Sequence, residues 1–201
     1  MTPCAQTPLD AWVKAKIGLS PTSDLTRQAL EAYQLKRLRS VLNDVKHRSP
    51  FYRRHFSGHA PDALQSINDL ARWPLTSADD LRRDPLGFLC ISQSAVERVV
   101  TLPSRPPQDP SKRLFFSAAD LELAVDFFHH GFATSVGREQ RILVLMPCRH
   151  PYSVGDLLAR GVSRLYAIPV THGPMQSPRA VVHSILYDGI DGLVGTPTEI
   201  L

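Results

Sequence analysis

The sequence predicts an α/β fold: a parallel-rich sheet with crossover helices, preceded by a helical N-terminal extension. Three observations carry that reading. First, 43% of the 201 residues are hydrophobic and 21% charged, with no long apolar run, which is the balance of a chain that buries a core in water. Second, from Ala95 onward short β-forming runs alternate with longer helical stretches, the βαβαβ texture of parallel strands joined by crossovers. Third, the part before residue 90 holds one long helix-periodic segment and no comparable alternation. The boundary is therefore set at residue 90, with 1–90 as a helical region packing on the domain and 91–201 as the βαβαβ portion.

Each element has its own local reason. The first helix starts near Asp24, as N-cap, and runs to Arg48, where Ser49-Pro50 stops it. Leu38, Val41, Leu42 and Val45 recur along it at the spacing of a buried stripe. Ala63–Leu70 and Ser77–Arg83 read as short helices, the second capped by Thr76 or Ser77, with Asp79 and Asp80 where they complement the helix dipole. Strands are expected at Arg98–Leu102, Leu114–Phe116, Arg141–Leu145, Tyr166–Val170 and Gly192–Gly195, with helices over Ala118–Ser135, Val154–Leu165 and Ser177–Asp188 between them. Phe115, Phe116, Phe127, Phe128 and Phe132 have the spacing of a strand and a helix that face one core.

Charge and cysteine usage narrow the function classes. The net charge of +4 is local: between Arg27 and Arg54 eight basic residues face only Glu31 and Asp44, so that stretch carries +6 and the rest −2. Phe51, Tyr52 and Phe56 interleave with Arg53 and Arg54 as a single-stranded nucleic-acid reader would require. No repeat or RNA-binding signature accompanies them, so a solvated helix face is the preferred reading and nucleic acid is not an expected partner. Cys4, Cys90 and Cys148 are odd in number and widely spaced, the pattern of reduced thiols. Cys148-x-His150 is half of a zinc site without a second half, so no metal is expected. Residues 1–6 hold no basic cluster followed by an apolar stretch, so the chain is expected to stay in the cytosol, with no membrane partner.

The remaining small motifs are weak. Ser153-Val154-Gly155 and Gly195-Thr196-Pro197 fit neither a nucleophile elbow nor a Walker loop and read as strand-end turns. Asp188-Gly189 and Asp191-Gly192 supply turn chemistry. His129-His130 offers two readings, a base or polar wall of a pocket and a pair complementing a helix C-terminus.

Several segments together resemble a known family. Lys46-His47-Arg48-Ser49-Pro50-Phe51-Tyr52-Arg53, then Leu70-Ala71-Arg72-Trp73-Pro74-Leu75-Thr76 leading to Asp80-Leu81-Arg82, is similar in order and spacing to the opening of phenylacetate-CoA ligase-like enzymes, a branch of the AMP-forming acyl-CoA synthetases. Lys112-Arg113-Leu114-Phe115-Phe116-Ser117 with Asp120, Asp126-Phe127-Phe128-His129-His130-Gly131, Gly155-Asp156-Leu157-Leu158 and Gly195-Thr196-Pro197 continue the resemblance, which spans about residues 35 to 201. It implies the N-terminal half of an adenylate-forming enzyme. The later parts, which in that family bind adenine, carry the acidic and aromatic catalytic motif and form the mobile lid, have no counterpart here. It also implies carboxylate adenylation followed by thioesterification, with ATP, Mg²⁺ and CoA as participants, and a candidate acyl pocket around His129, His130, Gly195, Thr196 and Pro197.

The phosphate loop departs from that family. Where the family carries Ser-Ser-Gly-Thr-Thr-Gly-x-Pro-Lys, this chain reads Ser104-Arg105-Pro106-Pro107-Gln108-Asp109-Pro110-Ser111-Lys112, and Ala78 stands where the family usually has a lysine. Pro106 and Asp109 replace the two glycines, and Pro107 a threonine. Each proline removes an N–H donor and fixes φ, and Asp109 sets a negative charge toward a negative ligand. Ser104, Arg105, Ser111, Lys112 and Arg113 remain as a vestigial donor set that attracts an anion by charge alone. The chain is thus expected to bind no cofactor strongly and to be inactive in isolation, and no catalytic residue is assigned. Two alternatives stay open. One is a subunit of a split ligase, in which Lys112, Arg113, His129 and Thr196 contribute once a C-terminal half completes the site. The other is a non-enzymatic module binding an aromatic or aliphatic carboxylate or its CoA ester. Self-association is expected if the apolar end of the sheet finds no partner.

Overall fold

The computed structural model describes residue 7 and residues 9–102, 111–174 and 177–200. These fall into two compact units, Lys14–Ala118 in one and the described residues up to Val13 with those from Ala119 onward in the other. The helices are α1 (Asp10–Ile17), α2 (Arg27–Arg48), α3 (Pro50–His55), α4 (Ala78–Arg83), α5 (Ala118–Phe132), α6 (Val154–Ser163), α7 (Pro178–Tyr187) and α8 (Pro197–Ile200). The strands are β1 (Arg98–Leu102), β2 (Lys112–Phe116), β3 (Arg141–Val144), β4 (Ile168–Thr171) and β5 (Gly192–Val194).

In the 14–118 unit, α2 starts at Thr26 rather than Asp24, because the Thr26 hydroxyl accepts the Ala29 N–H at 3.2 Å. Ser49 ends one helix and starts the next: its N–H donates to Val45 O, and its hydroxyl accepts the Tyr52 N–H at 3.2 Å and donates to Gly87 O at 2.7 Å. Pro50 then occupies the first position of α3, where its missing N–H costs nothing. The buried stripe of α2 is rotated from its expected position. Leu35, Leu38, Leu42 and Val45 pack on Phe56 and Leu64, whereas Val41 is 46% exposed. The helix expected over Ala63–Leu70 is replaced by two 3₁₀ turns, Pro61–Ala63 and Ile67–Arg72, the second begun by Ser66 and Asp69. Ser77 caps α4, exchanging bonds with Asp80 in a capping box.

β1 and β2 form an antiparallel pair of their own, Arg98 opposite Phe116 and Leu102 opposite Lys112, and do not join the parallel sheet. They cluster with residues 14–118, and β2 lies against α4. The phenylalanines therefore do not share one core: Phe115 and Phe116 belong to this unit, Phe128 and Phe132 to the other, and Phe127 is 53% exposed.

In the other unit β3 is central in a parallel sheet ordered β4-β3-β5. Strand alternation sends Ile142 to one face, with Val162 and Ala167 beside Phe132 and Val194, and Leu143 and Leu145 to the other, with Val181 of α7 beside Val170 and Ile185. Helices α6 and α7 thus cover opposite faces, as expected when one right-handed crossover runs from β3 out to β4 and the next returns from β4 past β3 to β5. Gly161 makes the crossing of α6 and α5 close: a Cβ there would stand 2.8 Å from Phe128 Cβ and 3.0 Å from His129 N.

Candidate functional site

Open parallel sheets present ligand sites at the carboxyl ends of their strands. Three segments leave this sheet there: Met146–Ser153 after β3, His172–Gly173 after β4 and Gly195–Thr196 after β5. The edge is laced together, with Leu145 N–H donating to Val194 O at 2.8 Å and His172 N–H to Val144 O at 3.0 Å. The turn into α6 depends on Gly155, whose N–H donates to Pro147 O at 2.8 Å and whose absent Cβ would lie 2.6 Å from Met146 O. Tyr152 sits at φ 59°, and the Asp156 carboxylate accepts its N–H at 2.7 Å. Asp156 also pairs with Arg160 at 2.9 Å, and the Arg160 guanidinium lies over the Tyr152 ring at 4.6 Å. The loop after β3 is therefore braced from α6. Gly173, at φ +85°, leaves room beside the Cys148 sulfur.

The expected acyl-pocket residues divide. Gly195, Thr196 and Pro197 stand at this carboxyl edge, where Pro197 opens α8 and Thr196 Oγ1 lies 3.1 Å from Thr198 Oγ1. His129 and His130 lie in the last turn of α5, their rings edge-to-face at 4.7 Å. His130 is held by its own helix, its Nδ1 2.9 Å from Asp126 O and 3.3 Å from the Asp126 carboxylate. The Trp12 indole N–H donates to the same carboxylate at 3.0 Å, with its ring 5.6 Å from that of His130. His129 differs: its Nδ1 is buried and has no hydrogen-bond partner among the described residues. Sequence reasoning missed the bond between Trp12 and Asp126, residues 114 apart that no local pattern links.

Of the expected phosphate loop, Ser104 and Arg105, together with Pro106, Pro107, Gln108, Asp109 and Pro110, lie outside the described residues. Ser111, Lys112 and Arg113 belong to the 14–118 unit. Lys112 opens β2 opposite Leu102, and Arg113, opposite Thr101, is exposed.

A second concave feature was not foreseen. A groove of about 510 Å³ lies beside the amino halves of β3 and β5, lined by Phe127, Phe128, Gly131, Phe132, Ser135 and Val136 from α5 and its exit, Leu158 from α6, and Gln140, Ile142, Asp191, Gly192 and Leu193. None of the five expected acyl-pocket residues lines it. Its lining has one ionisable side chain, Asp191, and no cation.

The basic stretch is largely engaged in holding its own unit together. Arg39 donates to Leu64 O, Lys46 to His59 O, and Arg53 to His47 O at 2.8 Å, while Arg54 pairs with Asp84 at 3.5 Å and Arg27 with Glu31 at 2.7 Å. These bonds tie α2 and α3 to carbonyls and carboxylates of this unit. Cys90 and Cys148 are free thiols, and burial pushes the Cys90 thiol up; Cys4 lies outside the described residues. Among the described residues no group of three or more metal-ligating side chains is assembled, and no helix is long and apolar enough to cross a membrane.

No protein-family model matches the chain. Phenylacetate-coenzyme A ligase of Pseudomonas putida is 37% identical over 84 residues, 40% of this chain and 19% of that enzyme. The Thermus thermophilus enzyme of the same name is 37% identical over 78 residues, 37% of this chain and 18% of its own length. The chain thus matches less than a fifth of these curated relatives. In fold, it superposes on 2-hydroxyisobutyryl-CoA ligase, solved in an open conformation with 2-HIB-AMP and CoA, with a TM-score of 0.72 at 20% identity, over 90% of this chain and 42% of that one. The postadenylation state of that ligase, with 2-HIB-AMP, gives 0.71 at 19% identity over 90% and 41%. With this sequence match and this superposition, the chain is phenylacetate-CoA ligase-like in sequence and carries the fold of the N-terminal part of an adenylate-forming CoA ligase.

Proposed function

We propose that this chain is a degenerate relative of the N-terminal part of AMP-forming acyl- or aryl-CoA ligases and is not catalytic by itself. The observation that carries the reading is the match to phenylacetate-CoA ligases by a chain whose fold spans about two fifths of a solved ligase. On this reading the carboxyl edge of the parallel sheet, with Gly195, Thr196 and Pro197, faces the acyl-adenylate, and His129 and His130, in the last turn of α5, stand apart from it. Ser111, Lys112 and Arg113, with Ser104 and Arg105, draw the nucleotide phosphates by charge. The loop lacks the glycine backbone nest that would hold ATP and its Mg²⁺ in a completed site.

A phosphate loop without its glycines lacks charge-stabilising donors by which such a reaction is accelerated. The test is calorimetric titration with ATP and Mg²⁺, repeated on the triple variant Pro106→Gly, Pro107→Thr, Asp109→Gly. AMP release is assayed alongside, with phenylacetate and CoA present. The expected result is no heat and no AMP from the natural chain, and ATP binding gained by the restored one. Micromolar ATP binding or turnover by the natural chain alone would overturn the reading. The carboxylate-binding alternative gains nothing from the groove beside β5, whose lining holds no cation to receive a carboxylate.

A further inference from the structure

We draw no further inference here: the strongest candidate, the apolar outer face of α7, where Val182, Leu186 and Tyr187 stand exposed along a groove of about 340 Å³, carries none because nothing in the structure shows what covers it.

Discussion

The two units are held together by different means. Residues 14–118 hold one long helix, an antiparallel strand pair and several short helices and turns around a small apolar cluster, Leu42, Phe56 and Leu64, and they are fastened by long polar side chains reaching backbone carbonyls: Arg39 to Leu64 O, Lys46 to His59 O, Arg53 to His47 O. The sheet unit buries most of its central strand, with Leu143 and Val144 at 0% exposure and the following Leu145 at 1%. Where irregular backbone cannot satisfy itself, side-chain donors must do so; where a parallel ladder satisfies the backbone, side chains are free to be apolar. Part of the basic excess of residues 27–54 follows from the first situation.

That contrast implies unequal costs for similar truncations. Leu143→Ala empties a site with no access to solvent and is expected to lower stability by ~4 kcal/mol, the upper range for a Leu→Ala cavity. Leu42→Ala, at the 8%-exposed centre of the helical unit, is expected to cost ~2 kcal/mol, because loosely packed surroundings collapse more readily. Denaturant unfolding of the two variants, followed by circular dichroism, compares them directly, and equal costs would remove the distinction.

Next in size is Gly155→Ala. Its Cβ would press on Met146 O at 2.6 Å and Pro147 O at 2.8 Å, backbone atoms at the carboxyl edge that cannot turn aside. A loss of ~3 kcal/mol is expected from overpacking, with hydrogen exchange raised first at residues 146–155. Exchange rising uniformly over the unit instead would show that the turn has no local role.

These positions show how much the residues announced in advance. The α/β class, the parallel strands and crossover helices from Arg141 onward, and the capped helix at Ser77 were legible because each rests on local periodicity or a local cap. The antiparallel pairing of β1 with β2 was not, because strand runs give no direction without their partners. The same limit applied to the site. Gly195, Thr196 and Pro197 could be placed at a strand end from the chain alone, but the groove beside β5 is assembled from residues 127 to 193 and has no contiguous signature.

A smaller effect is expected in the helical unit from Ser49→Ala. The buried hydroxyl both caps α3 and donates to Gly87 O, so its loss leaves one carbonyl and one N–H unsatisfied, at ~2 kcal/mol. Ser49→Thr keeps the hydroxyl and is expected to recover part of the loss if the added methyl is accommodated. Melting temperatures of the three proteins decide whether the hydroxyl or the volume matters.

Acid separates the two units most finely. Hydrogen bonds from the Ser66 and Gln65 N–H groups hold the Asp69 carboxyl below the usual carboxylate range, and the Ser77 hydroxyl and N–H do the same for Asp80. A carboxyl whose pKa is lower in the folded than in the unfolded state contributes stability above its unfolded value, and that contribution is lost as pH falls through the folded one. The turn at Ser66 and the start of α4 should therefore loosen below about pH 4, where ordinary carboxylates take up protons. The sheet unit has a lowered carboxyl of its own, Glu122, held by a two-pronged bond to Arg164 with both N···O distances 2.8 Å. That pair is solvent-exposed, at 41% and 61%, so solvent screening leaves it little leverage on the buried strands. Intrinsic-rate-corrected hydrogen exchange between pH 6 and pH 3 should thus show residues 65–83 opening while β3 stays protected. Asp69→Asn and Asp80→Asn should flatten that response, and Glu122→Gln should leave it in place. Loosening of β3 at the same pH as α4 would mean that the acid sensitivity is global and that the capping carboxylates are bystanders.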